Sequence, residues 1–299
     1  MNKVLIIGGQ GLGDCILSLQ CGSIVQKNPQ KALQIYISAI SEICASISHL
    51  FGHLFDLNFI PDQYSKYNRI LREPKLMFDL TKGFDEVYYV VPSLAFFNQY
   101  SFDFEKYNCF PQSVREIRLL VPGPEKKKII YVGLLTTKHI NIYSCPISLI
   151  LKLAEKFPDY TIYFPVIKTW AGRYTQHFDL PKDIPKNLMI DINPDINNSF
   201  DILLKSCYFI GTDNAPSHIA YQAGIPRLIL DSMLGWPHII VRWREDLTSD
   251  SIPITTSPDD VVKVTFINLS IPQTIMLPRT TCLKNKDAEW KSLLYLTNN

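Results

Sequence analysis

Val4-Leu5-Ile6-Ile7-Gly8-Gly9-Gln10-Gly11-Leu12-Gly13-Asp14 is the stretch on which the fold turns. A short apolar run breaks at once into a glycine cluster, and Cys15 to Gln26 continue with apolar residues at helical spacing. The pattern predicts a buried parallel strand over Lys3 to Ile7, a tight turn, and a helix over Cys15 to Gln26. Units of this kind build open α/β sheets. Moving outward, Leu33 to Ile37 predicts a second strand, Glu42 to Leu50 a helix and Glu86 to Val91 another strand, so the first half reads as Rossmann-like.

Pro122-Gly123-Pro124-Glu125-Lys126-Lys127-Lys128 has the composition of an exposed linker. After it the alternation restarts. Strands are predicted at Ile129 to Leu134, Thr161 to Phe164, Leu188 to Asp191, Tyr208 to Gly211 and Arg227 to Leu230. Helices are predicted at Pro146 to Lys156, Ser199 to Lys205, Pro216 to Ala223 and, briefly, Asp260 to Val264, with a terminal helix at Asp287 to Leu296. The expected organisation is an α/β domain over 1–122, a second over 127–268, and a tail with the terminal helix over 269–299.

The composition narrows the function. With 299 residues, 46% hydrophobic and 19% charged, the chain is long and apolar enough for a folded core, and disorder is excluded as its main state. A formal charge of +2 lacks the broad basic footprint that phosphate backbones demand, so no nucleic-acid partner is expected. The seven cysteines are scattered without a C-x-x-C pair, which argues against a disulfide framework or zinc knuckle and fits a reducing cytoplasm. The first apolar run is too short for a signal peptide, and the longest, near Ile129 to Leu135, falls far below the roughly 20 residues that span a bilayer. The expectation is a cytoplasmic protein, at most peripheral on a membrane surface.

Three clusters could carry chemistry. The first is Gly11-Leu12-Gly13-Asp14, but the third glycine of a G-x-G-x-x-G fingerprint is missing and Ser38 to Ser41 supply no carboxylate for a ribose, which weakens a dinucleotide reading. Asp14 at the carboxyl edge of the first strand could face a ligand cleft, or simply cap the helix. The second cluster, Leu135-Thr136-Thr137-Lys138-His139, follows the first strand of the second half; its hydroxyls and ammonium would suit a diphosphate, or Lys138 could be merely solvated. The third, Gly211-Thr212-Asp213-Asn214-Ala215-Pro216-Ser217-His218, is a polar turn into a helix whose first amides and dipole attract phosphate. Against that, Asp213 or Asn214 could be a plain cap and His218 a satisfied, partly buried histidine.

Together these segments resemble glycosyltransferase family 9, the heptosyltransferases of lipopolysaccharide core synthesis. Gly11-Leu12-Gly13-Asp14 resembles the family's N-terminal loop, Leu134 to Lys138 its phosphate loop, and Asn198 to Pro226 its donor motif. The resemblance implies a GT-B fold of two facing Rossmann-like domains, with the acceptor mainly on the first and a nucleotide-sugar donor mainly on the second. It implies Asp14 as general base, and Thr136, Thr137, Lys138, Asp213 and the helix start Asn214, Ala215, Pro216, Ser217 and His218 as holders of the diphosphate. The implied reaction is inverting transfer to a bacterial glycan or glycolipid, with contact at the inner membrane surface. No D-x-D occurs in the chain, so neither a metal nor a cofactor is expected. The family's acidic residue after the second donor-domain strand has no counterpart, because Tyr160 to Phe178 contains no carboxylate.

His49 and His53 lie four apart without a metalloprotease glutamate, and a structural role is expected for them. Phe96, Phe97, Tyr100, Phe102, Phe104, Tyr107 and Phe110 form either an acceptor platform or a satellite core. A nucleotide-sugar epimerase of the same fold and a non-catalytic nucleotide-sugar-binding subunit are the competing readings.

Overall fold

The computed structural model describes residues 1–9, 11–61, 79, 81–89, 119, 125–134, 146–166, 169–170, 173–174, 182–212, 214–231, 251–253 and 257–270. Two parallel sheets organise them. The first has the order β3-β2-β1-β4, built from β1 (Asn2–Gly9), β2 (Lys31–Ala39), β3 (Leu57–Pro61) and β4 (Glu86–Tyr89). Helices α1 (Leu12–Gln26) and α2 (Ser41–Phe51) connect its first three strands.

The second sheet has the order β12-β11-β10-β5-β6-β9. Its strands are β5 (Lys127–Gly133), β6 (Thr161–Val166), β9 (Leu188–Ile192), β10 (Ser206–Gly211), β11 (Arg227–Asp231) and β12 (Ser251–Pro253). Among the described residues four helices accompany it: α3 (Pro146–Lys156), α4 (Ile196–Lys205), α5 (Ala215–Gln222) and α6 (Pro258–Ser270). A two-residue antiparallel ladder, β7 (Thr169–Trp170) with β8 (Arg173–Tyr174), stands apart from both sheets.

Alternation along β5 and β6 divides the second core. Ile130, Val132, Ile162 and Phe164 pack with Leu149, Leu153 and Val261 of α3 and α6. Tyr131, Tyr163 and Phe209 face the other way and join Phe200, Leu203, Ile219 and Ala220 of α4 and α5. That cluster continues without a break into Leu12, Cys15, Ile16 and Leu19 of α1 and Ile43 and Ile47 of α2. The layers therefore run from first sheet through α1 and α2 to α4 and α5, then the second sheet.

Several boundaries differ from those the sequence predicts. Helix α1 begins at Leu12, with Cys15 N–H donating to the Gly11 carbonyl (3.1 Å), so Gly11 is its N-cap and Asp14 its third residue. Lys127 and Lys128 are not linker but the first residues of β5, paired alongside β10. Helix α4 starts at Ile196 because the Asp195 carboxylate accepts from the Asn197 and Asn198 amides (2.9 and 3.0 Å). Helix α6 runs to Ser270 rather than stopping at Val264, with Val261 and Thr265 buried one turn apart. Residues Asp287 to Leu296 and the aromatic segment 94–110 lie outside the described residues.

Candidate active site

In an open parallel sheet, ligands bind beyond the carboxyl ends of the strands where the strand order reverses. In the first sheet the chain runs from β1 to β2 and β3, then returns to β4 on the other side of β1, so the reversal lies between β1 and β4. The glycine loop after Gly9 leaves from that point. In the second sheet β5 is followed by β6 and β9, and β10 returns on the opposite side of β5. The reversal there lies between Gly133 and Gly211, which are paired in register.

Those two glycines allow the strand ends to close up. A β-carbon on Gly211 would stand 2.5 Å from the Gly133 carbonyl oxygen and would overlap the Phe209 ring. With the strands this near, Thr212 N–H donates to the Gly133 carbonyl (3.2 Å) and the Asn214 side-chain amide donates to the same oxygen (2.7 Å). The other end of Asn214 caps α5: its Oδ1 accepts from the Ser217 amide at 3.2 Å, and Ser217 Oγ donates to the Asn214 carbonyl at 2.7 Å. Asn214 is thus the cap, held to β5 and α5 at once. The capping box occupies the Ser217 amide and Pro216 has none, which leaves Ala215 as the first-turn amide outside the box.

Arg227 supports this helix from below. It is 5% exposed, its Nη1 donates to the Ser217 carbonyl at 3.0 Å, and its guanidinium lies 4.7 Å from the Tyr221 ring centre. The sequence pattern gave no hint of it, because a lone arginine opening a strand reads as an exposed end. At the far end of α5, buried Gln222 accepts from the Leu119 amide (2.8 Å). The first turn of α5 carries no acidic residue, so the positive end of its dipole is left uncompensated from within the helix.

Helix α1 has the opposite electrostatics. Asp14 is the only residue with a formal charge in its fifteen, and the rest is apolar or small. A helix apolar on nearly all sides is a buried helix, and Leu12, Cys15, Ile16, Ser18, Leu19, Gln20 and Val25 are all buried. A carboxylate in the first turn is favoured there by the helix dipole. Because Asp14 lies inside the helix, the cap reading weighed for it belongs instead to Gly11.

The two helix starts meet. A β-carbon on Gly13 would come within 2.9 Å of Cδ2 and 3.3 Å of Nε2 of His218, so the imidazole lies directly on the glycine backbone. Of the residues singled out from the sequence, Gly13 is thereby brought beside His218, with Gly11 and Leu12 just before it in the chain and Asn214, Ala215, Pro216 and Ser217 on the adjoining turn. Thr136, Thr137, Lys138 and Asp213 lie outside the described residues. A second tie joins α2 to α4, where His49 Nε2 and Asp201 Oδ1 are 3.0 Å apart. His49 thus makes a contact between the two halves.

No group of three or more histidines, cysteines or carboxylates able to hold a metal occurs among the described residues. Burial pushes the Tyr131 and Tyr163 phenols far up, and both serve packing: Tyr131 shares a hydrogen bond with Ser199 (2.8 Å) and Tyr163 donates to Asp191 (2.9 Å). No described helix is long and apolar enough to cross a membrane.

No protein-family model and no curated protein matches the chain. Solved structures do. The chain is similar to the E. coli heptosyltransferase WaaC with ADP, at TM-score 0.56 and 10% identity, over 89% of this chain and 99% of that one. It is similar to the glycosyl transferase family 9 protein of Veillonella parvula, at TM-score 0.53 and 10% identity, over 90% and 97%. It also matches the iron-containing dodecameric glycosyltransferase TibC of enterotoxigenic E. coli at TM-score 0.46 and 13% identity, where it spans 59% of that chain. The architecture of this chain, two Rossmann-like domains with a parallel sheet each, is the GT-B fold.

Proposed function

We propose that the protein is an inverting, metal-independent glycosyltransferase that moves a sugar from a nucleoside diphosphate to a bacterial surface glycan or glycolipid. One observation carries the reading: the only formal charge of α1 stands one residue from the point where α1 meets the charge-free start of α5. Residues 1–122 form the acceptor side and 127–268 the donor side, with α6 carrying the latter on to Ser270. Asp14 takes the proton of the acceptor hydroxyl as that oxygen attacks the anomeric carbon. The bond from that carbon to the diphosphate breaks on the opposite face, which inverts the configuration.

The departing diphosphate needs fixed positive potential. The first turn of α5, from Asn214 to His218, supplies its dipole, and Thr136, Thr137, Lys138 and Asp213 complete the donor site. Support comes from the glycine pair at the reversal of the second sheet and from Arg227 and Asn214, which hold α5 rigidly at that edge. The likeness to WaaC, solved with ADP, supports the same kind of donor. The reaction takes place in the cytoplasm, at the inner face of the membrane when the acceptor is a lipid.

The test is a thermal-shift panel of nucleoside diphosphates and nucleotide sugars without added metal, beside an Asp213→Ala control. A ligand that binds only the folded chain raises its melting temperature. A rise with one nucleotide, lost in the control, is expected; no rise with any overturns the donor site. Release of an epimerised nucleotide sugar without an acceptor would replace transfer by epimerisation. Unchanged function in Asp14→Asn would replace it by a binding role.

A further inference from the structure

The geometry points to His218 as a positioning residue that sets where the first turn of α1 stands relative to α5, and to Gly13 as the residue that makes room for it. This rests on the transferase reading and assigns His218 a different task from holding phosphate. The imidazole lies on the Gly13 backbone, with Cδ2 only 2.9 Å from where a β-carbon would be. Asp14 follows Gly13 in the same helical turn, so any displacement of that turn displaces Asp14 with it.

Helix α5 is fixed independently at several points, which gives the contact its leverage. Asn214 ties its start to Gly133, Arg227 holds the Ser217 carbonyl, and Gln222 accepts from Leu119. His218 and Gln222 are four residues apart and therefore lie on one face of the helix. Both reach residues of the first half, Gly13 and Leu119. That face is the one α5 presents to the first half, and His218 touches the residue that precedes Asp14. Gly13 is a helical residue without a positive φ, so alanine fits its backbone and normally stabilises a helix. The three atoms nearest to such a β-carbon all belong to the imidazole.

The experiment is a double-mutant cycle on the full chain with Gly13→Ala, His218→Ala and the pair, read by melting temperature, nucleotide affinity and turnover. Gly13→Ala is expected to lower the melting temperature, and to raise it once His218→Ala is present. Turnover of Gly13→Ala should fall by about 100-fold, as displacements near 1 Å do, with nucleotide affinity kept within about threefold. The pair should turn over faster than Gly13→Ala alone. If the pair is slower than either single variant, His218 is a donor contact and the positioning role is overturned. If Gly13→Ala raises the melting temperature equally in both backgrounds, the contact itself is overturned. A wild-type chain that transfers no sugar while the melting-temperature coupling persists would overturn the transferase reading, and the positioning role with it, while leaving the contact established.

Discussion

Helices α1 and α5 follow the same kind of strand and turn, each at the reversal of a parallel sheet, yet their first turns are electrostatic opposites. Helix α1 places a carboxylate at its third position behind a glycine cap, whereas α5 has a neutral asparagine cap and no acid in its first turn. A carboxylate in the first turn suits the dipole of α1, whereas the first turn of α5 carries no acid of its own. The difference shows that one supersecondary unit can carry first turns of opposite charge character.

The comparison is broken most severely by neutralising α1. Asp14→Asn should lower turnover by about 1,000-fold, within the usual contribution of a positioned base, with nucleotide affinity almost unchanged; steady-state kinetics beside a nucleotide titration measures both. Making α5 resemble α1 comes next. Asn214→Asp keeps a good cap but loses the donor to the Gly133 carbonyl and adds a negative charge, so nucleotide affinity should fall by about tenfold or more. Circular dichroism should show the fold retained.

Smaller effects test the support beneath the two helices. Arg227→Ala removes a buried guanidinium from the Ser217 carbonyl and the Tyr221 ring, and urea unfolding should register a loss of about 2 kcal/mol. His49→Ala breaks a half-exposed pair between α2 and α4 and should cost less than about 1 kcal/mol.

Glu86 provides a control at the amino ends of the first sheet, away from both helix starts. The Lys31 ammonium and then the Tyr88 hydroxyl, at 2.7 Å each, hold its carboxyl below the usual range, and burial followed by the Glu86 carboxylate pushes Tyr88 up to about 12. A lowered folded value means the pair stabilises the chain above the ordinary carboxylate range, with the contribution lost as pH falls through the lowered value. Glu86→Gln should therefore flatten the acid limb of a melting-temperature profile slightly and leave turnover untouched.

Much of this architecture was legible in the residues. Helix α3 spans Pro146–Lys156 as its apolar spacing and opening proline require. The alternation of strands and helices implied two Rossmann-like halves, and the resemblance to glycosyltransferase family 9 implied the GT-B fold. Helix α1 starts ahead of the predicted Cys15 although Gly13 has poor helix propensity, which docking between two layers overrides. Strands β3 and β12 are short edge strands ending in Pro61 and Pro253, and proline in a short run argues against a strand except at an edge. Asp195 was a cap signal in plain view, four residues ahead of the predicted helix.

The candidate site was legible as separate loops and not as an assembly. Leu119 with Gln222 and His49 with Asp201 span 103 and 152 residues, and no local pattern encodes such pairs. Gly13 with His218 belongs to the same class, because a missing β-carbon gains meaning only when its neighbour is seen.

The apolar cluster that runs from α1 and α2 into α4 and α5 also constrains how the chain is made. Translation delivers the first half before Phe200, Ile219 and Ala220 exist, so Leu12, Cys15, Ile16 and Ile47 have no partners on that side until the second half emerges. Neither half can be cut free without baring the helix faces that the other covers. The newborn first half therefore presents a sticky surface, a natural client for chaperones, until the remainder of the chain folds over it.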